Sequence, residues 1–412
     1  MNTGFAKTTR RVRTRRGVLW LGQTCNLRCR FCYFQTRVAT REHPDHPFMS
    51  LEKARAVCST LRGHYGNTAV DIQGGEPTIY PHIEALVAHC REIGLLPTLI
   101  TNAVALDDPQ RCRRLREAGL RDLLVSVHGL GAAYDEAVGL PGAHARQMKA
   151  LDNLAEQAIP FRLNCVLAAS VLPDLTAIAR LAVTRGARVM NFIAFNPFED
   201  QQGSRSGQDV PRYSEVAGPL TEALDCLEEN GLEANVRYLP LCAAKPRHRK
   251  NFYNFQQLPY DLHEWDYASW SWSGRNPQRR RDGELEPVLS LRQANHCLKL
   301  FGHEGYLEDS SISSEDEYRH SALIRAREHC GYQFAPACAA CALRDICDGF
   351  HGDYSSLYGS DEARAQELPS SSGPVDAPRH FIREQEKIVE HEDAPWALGD
   401  EDALWALEDG PA

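Results

Sequence analysis

Short apolar segments alternate with amphipathic helical segments along the first half of this 412-residue chain. The predicted strands occupy residues 18–21, 69–72, 98–101, 123–127, 162–167 and 189–194. Helical patterns fill the intervals at residues 51–61, 83–93, 109–118 and 145–157, and another follows at 175–184. Repeated strand-then-helix units predict an α/β fold with a parallel sheet covered by helices. Six such units are too few to close an eight-stranded barrel, so we expect the sheet to stay open on one side.

Three cysteines follow the first predicted strand within a few residues: Cys25, Cys29 and Cys32, with Tyr33 directly after them. Three thiolates from one loop can hold three irons of a [4Fe–4S] cluster and leave the fourth iron open to a small molecule. A zinc knuckle is the alternative. It needs a fourth ligand close by, and the nearest downstream histidines lie in a proline-rich stretch at positions 43 and 46.

A second motif follows the second predicted strand and consists of Gly74, Gly75, Glu76, Pro77 and Thr78. Parallel α/β folds build their sites at the carboxyl ends of strands, which is where this motif stands. Paired glycines let the backbone approach a ligand closely, and the Glu76 carboxylate can accept a charge-assisted hydrogen bond from an ammonium group. The alternative is an ordinary strand-to-helix turn capped by Thr78.

The cysteines have C-x3-C-x2-C spacing with an aromatic residue before the last one. Together with the Gly-Gly-Glu turn, this motif resembles the signature of the radical S-adenosylmethionine (SAM) superfamily. The resemblance implies a partial (βα)6 barrel with an open lateral side and the cysteine loop directly after its first strand. It also implies that Cys25, Cys29 and Cys32 bind a [4Fe–4S] cluster whose open iron binds SAM. Glycines 74 and 75, Glu76 and Pro77 would contact the amino group of SAM. Reductive cleavage would then give a 5′-deoxyadenosyl radical that abstracts a hydrogen atom from a substrate.

Further cofactor contacts are expected at the later strands, where polar residues stand at the ends or in the interior of the strands. The candidates are Tyr33, Thr101, Asn102, Ser126 and Asn164, and the resemblance implies comparable contacts at the turn after the third strand and at the serine after the fourth. The turn after the third strand has alanine at position 103, where the family has a T-N-G-like sequence. Capping or turn roles are the alternative for these residues. We interpret His128 as a structural histidine, with a substrate-facing role as the alternative.

Cysteines cluster again in the last third of the chain, at Cys297, Cys330, Cys338, Cys341 and Cys347. Their C-x2-C-x5-C run resembles the auxiliary-cluster extension, called SPASM or twitch, that follows many radical SAM barrels. Serine at position 310 and histidine at position 351 replace cysteines of the full form. We therefore expect one auxiliary [4Fe–4S] cluster, held by Cys338, Cys341, Cys347 and either Cys297 or Cys330, with zinc as the alternative. Five other cysteines, at positions 58, 90, 112, 165 and 226, are interpreted as small core residues.

Composition changes along the chain predict its organisation. A basic tail at 1–16 precedes the partial barrel at 17–198, and residues 199–287 supply a linker, a helix and an insert dense in aromatic and basic residues. This insert either closes over the open side of the barrel or packs as a core insertion. Residues 288–360 form the smaller α+β cysteine-rich extension, and residues 361–412 form an acidic tail that we expect to be disordered.

Charge and cysteine usage limit the partners. The net charge of -9 does not favour nucleic acid, and the chain has no apolar run long enough to span a membrane. Fourteen clustered cysteines favour metal binding in a reducing compartment, hence the cytoplasm. The expected partners are SAM, a peptide or small-molecule substrate, and an electron donor such as flavodoxin or ferredoxin. The competing hypothesis, a non-catalytic iron–sulfur or zinc protein for electron transfer or assembly, has no need of the Gly-Gly-Glu turn.

Overall fold

The computed structural model describes residues 16–32, 48–63, 69–195, 209–253 and 331–367. Within these residues a single parallel sheet has its strands in chain order, from β1 to β8. The strands are β1 (Arg16–Trp20), β2 (Ala69–Gln73), β3 (Leu96–Thr101), β4 (Asp122–Ser126), β5 (Phe161–Leu167), β6 (Val189–Ala194), β7 (Glu233–Arg237) and β8 (Phe252–Tyr253).

Helices connect most of the strands and cover one face of the sheet. They are α1 (Leu51–Gly63), α2 (Ile83–Glu92), α3 (Pro109–Ala118), α4 (Gly131–Val138), α5 (Ala143–Glu156), α6 (Leu175–Thr184), α7 (Tyr213–Glu229) and α8 (Gly352–Tyr358). None of the helices in the described ranges is long and apolar enough to cross a membrane.

The predicted open parallel sheet is confirmed, and all six predicted strands form within three residues of their expected limits. The count of six is corrected, because β7 and β8 extend the sheet by two further parallel strands. Both strands lie in the part of the chain that we interpreted as linker, helix and insert. The predicted helix of that part is α7. The aromatic residues of the predicted insert after position 253 lie within residues 254–330, which are outside the described residues.

The two faces of the sheet differ in polarity because side chains alternate along each strand. On the helix-covered face, Leu123, Val125, Leu163 and Cys165 are fully buried in the main apolar core. On the other face, residues in register form a polar row across four strands. This row consists of Ser126, Asn164, Asn191 and Asn235. The interior of the partial barrel is therefore lined with hydrogen-bonding groups.

The cysteine-rich segment at 331–367 packs against the start of α7. The rings of Tyr213 and Tyr354 stack with their centroids 3.6 Å apart, and the Tyr213 backbone N–H donates to the Tyr354 hydroxyl at 2.9 Å. The apolar residues Ile346 and Phe350 belong to the same core as the sheet and its helices. The second group of cysteines is thereby held at a fixed place on the barrel.

Candidate cofactor-binding site

The loop carrying Cys25, Cys29 and Cys32 extends the pairing of β1 with β2 beyond the strands themselves. Backbone hydrogen bonds run from Gly75 N to Gly22 O at 2.8 Å and from Glu76 N to Thr24 O at 2.9 Å. On its other side the loop is bonded to the end of α4, from Arg28 N to Val138 O at 2.8 Å. The cysteine loop is thus clamped between the Gly-Gly-Glu turn and α4.

The two glycines of the turn are required by this close approach. A Cβ atom added at Gly75 would lie 2.2 Å from the Thr24 carbonyl oxygen, and one at Gly74 would lie 2.7 Å from the Gly22 carbonyl oxygen. Gly74 also has a φ of 147°, which side chains rarely tolerate. We expected these glycines to admit a ligand, and their first structural effect is to admit the backbone of the cysteine loop.

A small apolar cluster anchors the loop from beneath. Leu27 lies between the first two cysteines and is buried with Val104, Tyr134, Val138 and Ala143. Cys25 and Cys29 pack against the same cluster. Burial of Leu27 therefore fixes the direction in which the neighbouring thiols leave the loop.

The three thiols lie close enough to affect one another's ionisation. Burial raises the pKa of Cys25 first, and together with the nearby Glu76 carboxylate and Cys32 it brings that pKa to about 12. The pKa of Cys29 is raised above the usual range for a thiol, first by burial and then by Cys32 and Cys25. Such a group of thiolates and a carboxylate needs positive charge to be stable, so the donor set suits a bound metal cluster.

The spacing of the sulfurs bears on which metal they suit. Zinc–sulfur bonds of about 2.3 Å place tetrahedral sulfur ligands about 3.8 Å apart. Among the described residues, three ligand atoms come within 4.8 Å of one another only at Asp225, Glu228 and His248, so no three of the described cysteine sulfurs do. The described cysteine sulfurs are therefore not drawn together to the spacing of zinc ligands.

Glu76 is buried at the centre of a hydrogen-bond network that joins β2 to β3. Its Oε1 accepts bonds from Thr78 N at 2.9 Å and from the Thr101 hydroxyl at 2.5 Å. Its Oε2 accepts one from Asn102 N at 2.8 Å. A carboxylate oxygen can accept two hydrogen bonds, which leaves Oε2 a position for an ammonium group. Burial raises the pKa of Glu76, and these hydrogen bonds act in the opposite direction.

The turn after β3 keeps a glycine-like conformation although alanine occupies its third position. Ala103 has φ 59° and ψ -1°, in the left-handed region. The Thr101 hydroxyl accepts a bond from Ala103 N at 2.8 Å, and the Asn102 side chain accepts one from Val104 N at 2.9 Å. Asn102 Nδ2 also donates to Asn26 Oδ1 at 2.8 Å, which ties this turn to the cysteine loop. These residues therefore cap the turn and also tie it to the cysteine loop.

Gln147 on α5 is a site-building residue that the sequence analysis missed. It is fully buried, and its Nε2 lies 2.8 Å from the carbonyl oxygens of both Asn102 and Ser126. The Tyr134 hydroxyl lies 2.9 Å from the same nitrogen. The residue therefore joins the ends of β3 and β4. A polar side chain on the buried face of a helical pattern was the feature that could have indicated it.

Asn164 and His128 face different surroundings. Asn164 Oδ1 is buried and accepts no hydrogen bond from the described residues, so it offers an acceptor to a bound molecule. His128 Nδ1 accepts a hydrogen bond from Val166 N at 3.2 Å. The centroid of its ring lies 4.4 Å from the ring centroid of Phe31 in the cysteine loop. Burial lowers the pKa of His128 to about 3. The interpretation of His128 as a neutral structural residue agrees with these contacts.

A second group of thiols forms around the C-terminal cysteines, and it includes Cys242, which the sequence analysis did not propose as a ligand. Burial raises the pKa of Cys242, and neighbouring Cys338 and Cys341 raise it further. Burial also raises the pKa of Cys347 to about 12, with Cys242 among the charges that add to this. Cys242 is therefore the common neighbour of the C-x2-C-x5-C cysteines.

Backbone amides surround this second group. Gly349 N donates to Cys347 Sγ and Gln366 N donates to Cys341 Sγ, each at 3.4 Å. The backbone of Leu241 contacts the Cys347 sulfur and lowers the pKa of that thiol. N–H groups directed at sulfur are typical of iron–sulfur sites. The chain reaches Cys242 through Tyr238, whose φ of 67° turns the backbone sharply after β7.

Three of the predicted site residues cannot be placed, and one histidine stands where the full auxiliary motif has a cysteine. Tyr33, Cys297 and Cys330 lie outside the described residues, so their proposed roles stay predictions. His351, at the position of a missing cysteine, caps α8 by accepting a bond from Asp353 N at 3.2 Å on Nδ1. Burial lowers the pKa of His351 to about 4.

The clamped cysteine loop, the Gly-Gly-Glu turn and the open parallel sheet define a radical SAM enzyme. Residues 21–179 match the family model described as Radical SAM superfamily, so this part of the chain is a radical SAM domain. The enzymes of this superfamily use a [4Fe–4S] cluster and SAM, and the residues described above fit both.

The chain is similar to proteins with different substrates. It is 24% identical to the Fe-coproporphyrin III synthase of Methanosarcina barkeri over 83% of this chain and 85% of that protein. It is 30% identical to the PqqA peptide cyclase of Methylorubrum populi over 41% of this chain, which spans 42% of that relative. The structure of Streptococcus suis SuiB bound to its precursor peptide SuiA has a TM-score of 0.49 and 16% identity, covering 86% of this chain and 76% of that chain.

Proposed function

We propose that this enzyme abstracts a hydrogen atom from a peptide substrate and passes an electron from the resulting substrate radical to an auxiliary [4Fe–4S] cluster. The observation that carries the first step is the clamped loop that brings Cys25, Cys29 and Cys32 together beside Glu76. The reduced cluster and SAM would supply one electron and the carbon–sulfur cleavage that gives methionine and the 5′-deoxyadenosyl radical.

The residues around the cysteine loop hold and orient the cofactor. Glu76 accepts a hydrogen bond from the SAM ammonium group through the free position on Oε2. The buried Asn164 Oδ1 supplies an acceptor to the same molecule, and Ser126 lies in register beside it. Gln147 holds the ends of β3 and β4 in place beneath these contacts.

The auxiliary cluster is assigned to Cys242, Cys338, Cys341 and Cys347. Four protein thiols leave no iron open, so this cluster does not bind the substrate directly and acts as an electron acceptor. The balance is then complete: the deoxyadenosyl radical takes one hydrogen atom, the substrate radical gives one electron to the cluster, and a proton leaves. The substrate is oxidised by two electrons, and a flavodoxin or ferredoxin exchanges electrons with the enzyme. The free cysteines that both clusters require favour a place in the reducing cytoplasm.

A peptide suits the polar interior of the partial barrel. Asn191 Oδ1 accepts a bond from Asn235 Nδ2 at 2.7 Å, and both amides continue the row that begins at Ser126 and Asn164. Side-chain amides donate and accept at once, as peptide groups do. The similarity to a PqqA peptide cyclase supports the same substrate class. A small metabolite is the second candidate, favoured by the longer match to Fe-coproporphyrin III synthase.

The two substrate classes are separated by protease treatment. Reconstituted enzyme with SAM and dithionite is assayed for 5′-deoxyadenosine in the presence of an extract of the source cells. We expect the extract to accelerate 5′-deoxyadenosine release and protease digestion of the extract to abolish that acceleration. Acceleration that survives digestion would contradict the peptide and support the metabolite, and acceleration by neither extract would contradict both.

A further inference from the structure

The short 3-10 helix Pro246–Asn251 is held firmly on α7 by paired charges. Arg247 Nη2 lies 2.7 Å from both Asp225 carboxylate oxygens, and His248 Nε2 lies 2.6 Å from Asp225 Oδ1. Lys250 pairs with Glu228. Because Arg247 and Lys250 already pair with the two acids, the group at Asp225, Glu228 and His248 is a network of ion pairs and hydrogen bonds. Its effect is to fix the orientation of the residue between them, Arg249.

Arg249 points away from this exposed network and is buried, with 3% of its surface exposed. Its Nη2 donates to Gln366 Oε1. The backbone N–H of Gln366 donates in turn to Cys341 Sγ at 3.4 Å. Burial lowers the pKa of Arg249, and the neighbouring Cys341 and Cys242 act in the opposite direction. The guanidinium group is thus linked to Cys341 through Gln366, and its charge acts on both Cys341 and Cys242.

We propose that Arg249 sets the reduction potential of the auxiliary cluster: its buried positive charge, oriented by Gln366, stabilises the reduced cluster held by Cys242, Cys338, Cys341 and Cys347. This inference rests on the auxiliary cluster of the proposed function. Arg249 acts on the reduction potential of the cluster electrostatically, through space. It contacts no substrate atom.

The physical reason is the charge of the cluster. Four thiolates around a [4Fe–4S] core leave a net negative charge that grows by one unit on reduction. A nearby cation therefore stabilises the reduced form more than the oxidised form, and burial strengthens the interaction because the local dielectric constant is low. Arg249 makes the auxiliary cluster a better electron acceptor for the substrate radical.

The test is a redox titration followed by electron paramagnetic resonance on the full-length chain carrying Cys25→Ala, Cys29→Ala and Cys32→Ala. Only the auxiliary cluster contributes to the spectrum of that parent protein. We expect Arg249→Met to shift the midpoint potential to a more negative value and Arg249→Lys to shift it less. Arg247→Met is the matched control: it removes a cation from the exposed side of the same helix, which His248 and Lys250 still hold on Asp225 and Glu228, and the potential should not move.

A second variant keeps the test decisive if Arg249→Met binds no iron. Gln366→Glu retains the backbone amide on Cys341 and places a carboxylate against the guanidinium, so the midpoint should again become more negative. Unchanged potentials in the iron-loaded Arg249 and Gln366 variants would overturn the role of Arg249. A parent protein that holds zinc or no metal would instead overturn the auxiliary cluster itself.

Discussion

His128 illustrates how a buried titratable side chain couples the cysteine loop to the sheet. Its imidazole is fixed between Val166 N and the ring of Phe31, one residue before Cys32. Burial lowers its pKa from 6.5 to about 3. In the unfolded chain His128 therefore binds a proton near pH 6.5, whereas in the folded protein it stays neutral down to about pH 3. The contribution of His128 to stability is fully present above pH 6.5 and is lost as the pH falls from there.

We predict that His128→Asn makes the protein less sensitive to mild acid. Asparagine keeps an acceptor for Val166 N and does not titrate. Between pH 7 and pH 5 the free energy of unfolding of the wild type should fall by about 2 kcal/mol more than that of the variant. Urea unfolding of both proteins at the two pH values measures this, and the acid sensitivity of the clusters cancels in the comparison. Equal losses in the two proteins would contradict the burial argument.

At the residue scale, what the sequence could predict depended on how close the partners lie in the chain. Cys25, Cys29 and Cys32 share one loop, so their spacing alone indicated a cluster. Cys242 stands far from Cys338 in the chain, with no second cysteine beside it, so only folding reveals their proximity. Glu76 was expected to bind an ammonium group, but its bonds to Thr101 and Asn102 depend on the register of β2 and β3.

At the element scale, the segment after β7 decides where the auxiliary cysteines meet the barrel. The 3-10 helix Leu241–Ala243 presents Cys242, and the backbone of Leu241 contacts Cys347. We predict that Cys242→Ala disrupts the same cluster as the triple variant Cys338→Ala, Cys341→Ala and Cys347→Ala. The triple variant should lose about four irons per chain. Iron analysis and Mössbauer spectra should show that one common set of lines disappears in both.

Cys226→Ala is the control for this comparison. Cys226 lies on α7, packs against the core and has no cysteine neighbour among its described contacts, so its loss should leave the iron content at the wild-type value. If Cys242→Ala retained the complete spectrum of the wild type while the triple variant lost the cluster, the fourth ligand would have to be Cys297 or Cys330.

The first six strands were predictable because each is an apolar segment bounded by helical patterns and turns. β7 is not an apolar segment of this kind: its sequence, Glu-Ala-Asn-Val-Arg, alternates polar residues with buried Ala234 and Val236, which is the short pattern of a half-buried strand. β8 was missed because two residues carry no pattern. Both strands form through pairing with the sheet already present, which is a tertiary effect that local sequence does not encode.

At the scale of the whole molecule, both cysteine groups lie at the carboxyl ends of the parallel strands. One group follows the first strand of the sheet and the other follows the seventh. The Cys25 loop follows β1 and the Cys242 loop follows β7, and parallel strands all end at one edge. The polar row from Ser126 to Asn235 runs across the strands between them. We infer that the substrate binds in this interior, with hydrogen abstraction toward β1 and electron transfer toward β7.

The most direct test of the account is the release of 5′-deoxyadenosine by the anaerobically reconstituted, full-length enzyme with SAM and dithionite, measured by chromatography and mass spectrometry. We expect release by the wild type and none by Cys25→Ala, because loss of one thiolate destroys the site with the open iron. A wild-type protein that holds its full iron yet releases no 5′-deoxyadenosine, or a Cys25→Ala variant that matches it, would contradict the central claim.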